Sequence, residues 1–194
     1  REIGLATAET LAFPTVVLVG EETALAAVDA VGDGYPLRGQ LTIADTLFGD
    51  GRPATAIPAR GEAWAEPGLL GRLDIDVGAT LTIGNLTLRV TQVLQYKPDQ
   101  NIGFVNLAPG VMVNLADVPA MSVVKPGSRV TWHQMYAGSD AQIAEFRTRV
   151  EPRLRPDTSI RGREDAGEQI NAAIDRAQRF LTLASLVTVI LAAV

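Results

Sequence analysis

At 194 residues, with 47% hydrophobic and 20% charged side chains, the chain can bury one substantial core and divide it into two small lobes. Seventeen Lys and Arg against 22 Asp and Glu leave a net charge of −5, which argues against nucleic acid as a partner, since phosphate binding needs an excess of cation. The absence of cysteine removes disulfides, thiolate metal sites, iron–sulfur clusters and cysteine nucleophiles, and the single histidine, His133, cannot build a multi-histidine metal site.

The chain opens on Arg1 with neither the basic nor the apolar stretch of a signal peptide, so it is expected to be an internal piece of a longer protein. Apolar runs at 15–19 (TVVLV), 25–31 (LAAVDAV) and 37–43, separated by the turn signal GDGYP at 32–36, predict strands with tight connections. Residues 79–83 and 86–90 alternate apolar and polar side chains about Gly84-Asn85, which predicts a β-hairpin with a two-residue loop. Leu86, Leu88 and Val90 share one face, but the next apolar pair is Val93 and Leu94. That slip of parity predicts a bulge near Thr91-Gln92 in a strand that continues to Tyr96. A loop follows over 97–110 (KPDQNIGFVNLAPG), then a short strand at 111–114, a helical turn within 115–121, a boundary at Pro126-Gly127 and a strand at 130–136.

Ser139 with Gln142 forms a capping box, and Ile143, Phe146 and Val150 continue from it at helical spacing toward Arg153. A second capping box, Asp165 with Glu168, opens a helix whose apolar positions Ile170, Ile174, Ala177 and Leu181 run without Gly or Pro into the tail FLTLASLVTVILAAV at 180–194. The tail carries no charge and admits two readings, a C-terminal helix packed on the soluble core or the start of a transmembrane helix. A helix docked on a globular core keeps a polar stripe toward water, and the tail has none, which favours the membrane reading.

Little catalytic chemistry is on offer. His133 lies in an apparent strand beside Trp132 with no partner fixed by spacing, and reads as a structural or surface histidine. Ser122, Ser128, Ser139, Ser159 and Ser185 sit in no nucleophile motif. The DIDVG segment at 74–78 hints at a calcium loop, but Asn85 stands where a closing glutamate belongs, so a turn is the simpler reading. No phosphate-cradling Gly-x-x-x-x-Gly-Lys is present, and any ATP-driven step must come from another chain. Residues 145–179 hold eight arginines against seven acids, a solvated surface laced with ion pairs. No catalytic, cofactor-binding or metal-binding residue is assigned.

From Tyr35-Pro36-Leu37-Arg38-Gly39 through Ile43-Ala44-Asp45 and Leu47-Phe48, the sequence resembles the extracytoplasmic domain of an FtsX-like or MacB-like ABC transporter permease, most closely the YbbP type. The likeness continues through Val77-Gly78-Ala79-Thr80-Leu81, Ile83-Gly84-Asn85, Pro98-Asp99, Gly103-Phe104, Asn114-Leu115-Ala116-Asp117, Pro126-Gly127-Ser128-Arg129-Val130 and the run 177–183. Gln100 and Gly110 stand where the family pattern leads to arginine. The resemblance implies an α+β fold: a porter-like α/β lobe from residues 1–43 and 126–165, an inserted mainly-β lobe at 44–125, and a stalk helix at 166–194 entering a transmembrane segment. It also implies a permease of the bacterial inner membrane with this domain in the periplasm. Arg161, Arg163, Arg176 and Arg179 precede the tail and by the positive-inside rule would face the cytoplasm, a rule that large translocated domains escape.

By this resemblance the domain is not an enzyme. It couples ATP hydrolysis by a separate ABC ATPase subunit to export or extraction of a hydrophobic, lipid-like envelope substrate. The further partners implied are the membrane, a second permease in a dimeric assembly, and a periplasmic thioesterase or lysophospholipase. The alternative is a regulatory scaffold that binds and activates a periplasmic hydrolase; a stand-alone hydrolase has no nucleophile and base to support it.

Overall fold

The computed structural model describes residues 4–99 and 108–162, together with Gln178. Strands dominate these residues, in the order β1 (Ala6–Val19), β2 (Glu22–Val31), β3 (Thr42–Ala44), β4 (Arg52–Pro53), β5 (Glu62–Ala65), α1 (Pro67–Leu73), β6 (Thr80–Ile83), β7 (Leu86–Tyr96), β8 (Gly110–Asn114), α2 (Val118–Met121), β9 (Thr131–Ala137) and α3 (Asp140–Val150). The chain divides into two units at Ile143/Ala144.

In the first unit the strands follow the order β4-β3-β7-β5-β8-β2-β1-β6, and β6 pairs back onto β7, so six of them close into a ring. β9 joins the other part of β1, pairing along Ala6 to Ala12. The β2–β8 and β5–β7 pairings are parallel, and the remaining ones are antiparallel. The sheet runs across residues 43/44, since β1 and β2 share it with β5 to β8.

The ring has two apolar faces because side chains alternate along a strand. Leu11, Phe13 and Val17 of β1, Ala24, Ala26 and Val28 of β2, Leu81 and Ile83 of β6, and Leu88, Val90 and Val93 of β7 point inward to one core, together with Leu69, Leu70 and Leu73 of α1 and Met121 of α2. Outward-facing Val31, Trp64, Met112 and Leu94 form a second core with Tyr35, Leu41 and Ile43. The second core covers only one end of the β1–β2 outer face. At the other end Val16 and Leu25, directly opposite each other, and Leu18 are exposed.

Several sequence expectations meet the structure directly. Gly84-Asn85 joins β6 to β7 with Ile83 opposite Leu86, and Gly84 has φ +58°. The β5–β7 register passes from Val90 to Gln92 while β5 advances by one residue, so Thr91 is the extra residue of a bulge. Ser139 and Gln142 close the predicted capping box: the Ser139 N–H donates to Gln142 Oε1 at 2.8 Å and the Gln142 N–H to Ser139 Oγ at 3.4 Å. Pro152, two residues past the last α-helical residue Val150, cannot continue the α-helical hydrogen bonding, and the chain passes into a short 3-10 turn at Glu151–Arg153.

Other segments differ. The first strand begins at Ala6 rather than Thr15 and contains Pro14. The Glu9 carbonyl accepts from the Gly32 N–H on the β2 side and the Ala8 carbonyl accepts from Gln134 on the β9 side, so even positions of β1 aim at the second edge. Between the β9 pairing, which ends at Ala12, and the β6 pairing, which begins at Val17, that edge carries no ladder, and Pro14 falls there without loss of a hydrogen bond. Of the strand expected at 37–43, only Thr42 onward is extended in the sheet. α1 had no sequence signal, because Gly68 and Gly71 together cost about 2 kcal/mol of helix propensity; three buried leucines, at about 1.5–3 kcal/mol each, outweigh that.

In the second unit the remainder of α3 carries a Glu145–Arg149 ion pair one turn apart, and Arg155 pairs with Asp157 at 3.1 Å. The capping box at Asp165 and Glu168, the stalk helix at 166–194 and the apolar tail lie outside the described residues. No described helix is long and apolar enough to cross a membrane.

Candidate functional site

The polar side chains that could carry chemistry serve the frame instead. Asn114 accepts from the Ala116 N–H at 3.0 Å, capping the turn before α2, and donates to the Pro58 carbonyl at 2.9 Å. Buried Asp117 accepts from the Gly61 N–H at 2.7 Å and faces Arg60 at 3.5 Å, so its charge is matched where burial would otherwise penalise it. Glu66 accepts from the Gly110 N–H at 2.7 Å, locking the start of β8 against the entry to α1.

Of the residues singled out from the sequence, those described lie on β9, at the ends of α2 and α3, or in the connections between elements. His133 lies exposed on β9 opposite Thr10. Ser122 ends α2 in a left-handed conformation, Ser128 accepts from the Lys125 N–H at 2.8 Å, and Ser139 caps α3. Ser159 is exposed and Ser185 lies outside the described residues. The 74–78 segment is a turn: Asp74 closes α1 with φ +50°, and the Ala79 N–H donates to the Asp76 carbonyl at 3.1 Å before β6 begins.

The segment 35–39, which opens the family likeness, is tied to the exit of β7. Tyr35, joined to Pro36 by a cis peptide, donates its hydroxyl to Asp99 at 2.6 Å, and Lys97 pairs with Asp29 of β2 in a half-buried contact. Burial, reinforced by the Asp99 carboxylate, pushes the Tyr35 hydroxyl pKa far above its ordinary value. Arg38 reaches across to the Gly138 carbonyl at 3.2 Å. These contacts tie the segment 35–39 to the exit of β7 and to Gly138, and the exit of β7 to β2.

Two shallow concavities lie among the described residues of this unit. One, of about 410 Å³, is lined by Thr7, Glu9, Gly32, Asp33, Asn114 and Gln134 among others. Its neighbour, of about 260 Å³, is apolar and lined by Leu11, Leu115, Val118, Pro119, Val124 and Trp132. Neither brings a nucleophile to a base, and among the described residues no group of three or more His, Cys, Asp or Glu is placed to hold a metal.

What the fold leaves unengaged is apolar surface. Besides Val16, Leu18 and Leu25, the ring of Phe48 is 95% exposed on the loop between β3 and β4. That loop is closed by the Gly49 N–H donating to the Thr46 carbonyl at 3.0 Å and is flanked by the Asp45–Arg52 pair at 3.0 Å. The Arg52 and Gln92 side chains hold the Asp45 carboxyl pKa below the ordinary carboxylate value. Sequence reading placed Phe48 within the family likeness and gave no sign of its exposure, because an apolar pair such as Leu47-Phe48 reads as core. The loop expected at 97–110 is described only to Asp99 and from Ala108, and Val111, Met112 and Val113 just after it are buried.

No protein-family model matches the chain. It is 33% identical over 189 residues to the ABC transporter permease YbbP of Escherichia coli K12, a match that covers 97% of this chain and 22% of the relative. The chain thus spans about a fifth of the length of the curated relative it matches. Among solved structures, the periplasmic region of MacB from Actinobacillus actinomycetemcomitans superposes with a TM-score of 0.53 at 13% identity, over 85% of this chain and 75% of that one. A domain of a putative permease protein from Porphyromonas gingivalis gives a TM-score of 0.47 at 9% identity, over 77% of this chain and 70% of that one.

Proposed function

We propose, for a chain that is a relative of the YbbP-type ABC transporter permeases and has the mixed α/β fold of the MacB periplasmic region, that it is the periplasmic domain of an inner-membrane ABC transporter permease. The observation that carries this reading is the 33% identity sustained along 97% of the chain, which covers the second core, the ring and both sides of it. In this reading the domain performs no covalent chemistry. A separate ATPase subunit hydrolyses ATP in the cytoplasm, and the domain moves in response to export or extract a hydrophobic, lipid-like envelope substrate as part of a dimeric permease. A periplasmic thioesterase or lysophospholipase is a fitting companion for such a substrate.

The uncharged run at 180–194, continuous in sequence with the helical pattern from Asp165, supports a stalk at 166–194 that carries displacement between membrane and periplasm. The first experiment purifies the full-length permease from native membranes in mild detergent and identifies what accompanies it. An ABC ATPase in stoichiometric amount supports the reading; the protein emerging from the soluble fraction, alone, overturns it. Ala173→Pro then tests the stalk, since proline in a helix interior costs about 3 kcal/mol and kinks it. The expected result is ATPase turnover without substrate movement, and undiminished substrate movement refutes the coupling.

A further inference from the structure

Phe48 is the most exposed of the exposed large apolar side chains, at 95% against 39–56% for Val16, Leu18, Leu25, Tyr96, Trp132 and Tyr136. A lone apolar side chain on a surface is ordinary. What sets Phe48 apart is the effort with which its loop is held. The Gly49 N–H closes the turn onto the Thr46 carbonyl at 3.0 Å, Gln95 Nε2 of β7 donates to the Gly49 carbonyl at 3.0 Å, and Arg52 bridges Asp45 at 3.0 Å and Gln92 at 3.2 Å. Gln95 of β7 thus holds the backbone just after the ring, and Arg52 of β4, braced by Gln92, holds the Asp45 side chain before it. A flexible loop would let the ring fold down onto apolar surface; this one holds it out in water. Prior fixing of this kind lowers the ordering cost of association, and a rigid aromatic filling a pocket is the commonest kind of energetic centre in an interface.

The surroundings select the occupant. Two residues past Phe48 the carboxylate of Asp50 is exposed, on a chain of net charge −5, while the Asp45 carboxylate on the other side is matched by Arg52. An acidic flank is repelled by an anionic membrane surface and by a second copy of the same loop, and is complementary to a basic rim. We propose that Phe48 is the anchor through which this domain binds a protein partner presenting an apolar pocket rimmed by Lys or Arg. The inference rests on the periplasmic permease reading only for where that partner is met.

The test places p-benzoylphenylalanine at position 48 of the full-length permease in its native membrane, irradiates, and identifies the adduct. The purified adduct protein is then titrated against wild-type permease and the Phe48→Ala, Phe48→Trp and Asp50→Lys variants at low and high salt. The expected result is a single protein adduct whose binding weakens about 30-fold or more with Phe48→Ala, as loss of an interface anchor does, and survives Phe48→Trp. Asp50→Lys is expected to weaken it and to reduce its dependence on salt. Unfolding of Phe48→Ala serves as the control and should match wild type, because the ring is 95% exposed. An adduct formed only with phospholipid, an adduct only with a second permease, no adduct, or Phe48→Ala binding within threefold of wild type overturns the proposal. A cytoplasmic adduct protein that meets the binding criteria overturns the periplasmic placement and leaves the anchor standing.

Discussion

Gly20 and Gly84 make a matched pair. Each is the first residue of a two-residue hairpin loop and each has φ +58°, a conformation that an L side chain adopts at a cost of about 1–2 kcal/mol. A Cβ on Gly20 would meet nothing within 4 Å, so Gly20→Ala isolates that conformational cost. A Cβ on Gly84 would lie 2.0 Å from the Met121 carbonyl oxygen and 2.5 Å from Val123 Cγ1. The carbonyl is backbone and already accepts from the Asn85 N–H at 2.9 Å, so relief requires α2 to move away from the hairpin. That movement draws Met121, fully buried, out of the inner core. Overpacking of this kind costs about 1–3 kcal/mol and a weakened hydrogen bond about 0.5–1.5 kcal/mol, so with the conformational cost Gly84→Ala should lose about 2.5–6.5 kcal/mol in total. Urea unfolding followed by the fluorescence of Trp64, which is buried in the second core, reads this as a midpoint lowered by about 2 M, for a slope of about 2 kcal/mol per M. Gly20→Ala should lower it by about 0.5–1 M. Equal midpoints for the two variants would refute the docking of α2 onto the β6–β7 loop as the source of the cost.

Tyr35→Phe removes a 2.6 Å hydrogen bond to Asp99 and should cost about 0.5–1.5 kcal/mol at neutral pH. Because burial raises the Tyr35 pKa, the folded state keeps a proton that the unfolded chain releases. Stability from this group is therefore present below about pH 10 and lost as the pH rises beyond it. Urea midpoints at pH 8 and pH 11 should fall farther apart in wild type than in Tyr35→Phe; an equal fall in both refutes the assignment. His133→Ala, on exposed β9, should change stability by less than about 0.5 kcal/mol and leave intact the ATPase-coupled substrate movement proposed for the full-length permease. Loss of that movement in a folded variant would overturn the reading of His133 as a structural or surface residue.

The elements legible in the sequence are those whose cause is local. Gly84-Asn85 between alternating runs names its own hairpin, the Val93-Leu94 parity slip names the bulge at Thr91, and Ser139 with Gln142 names a cap, because each rests on contacts within a few residues. The first half of β1 was hidden because Ala6, Ala8 and Ala12 favour no strand and Pro14 argues against one. Its stability comes from β2 and β9, which pair along it from Glu22–Val31 and Thr131–Ala137. Closure of the ring was hidden for the same reason: Val17 meets Ile83 across 66 positions of chain, and no local pattern announces such a pairing.

The same contrast separates the frame from the candidate interaction surface. Tyr35, Asp99, Asn114 and Asp117, which match the family likeness, are all engaged in named hydrogen bonds that hold the ring and the second core. Phe48 matches it as well and holds nothing together. A residue type chosen for packing is replaceable by any side chain that fills the volume, whereas a side chain surrounded by water contributes to no volume at all. Its identity can matter only through what it meets outside the chain, and the outer faces of Val16, Leu18 and Leu25 fall under the same logic with a weaker constraint, because their strand also needs β-formers to pair β1 with β2. The bracing of the Phe48 loop removes that second explanation: no strand, core or cap requires an aromatic there. The place to look for this domain's function is therefore the loop between β3 and β4, ahead of either concavity.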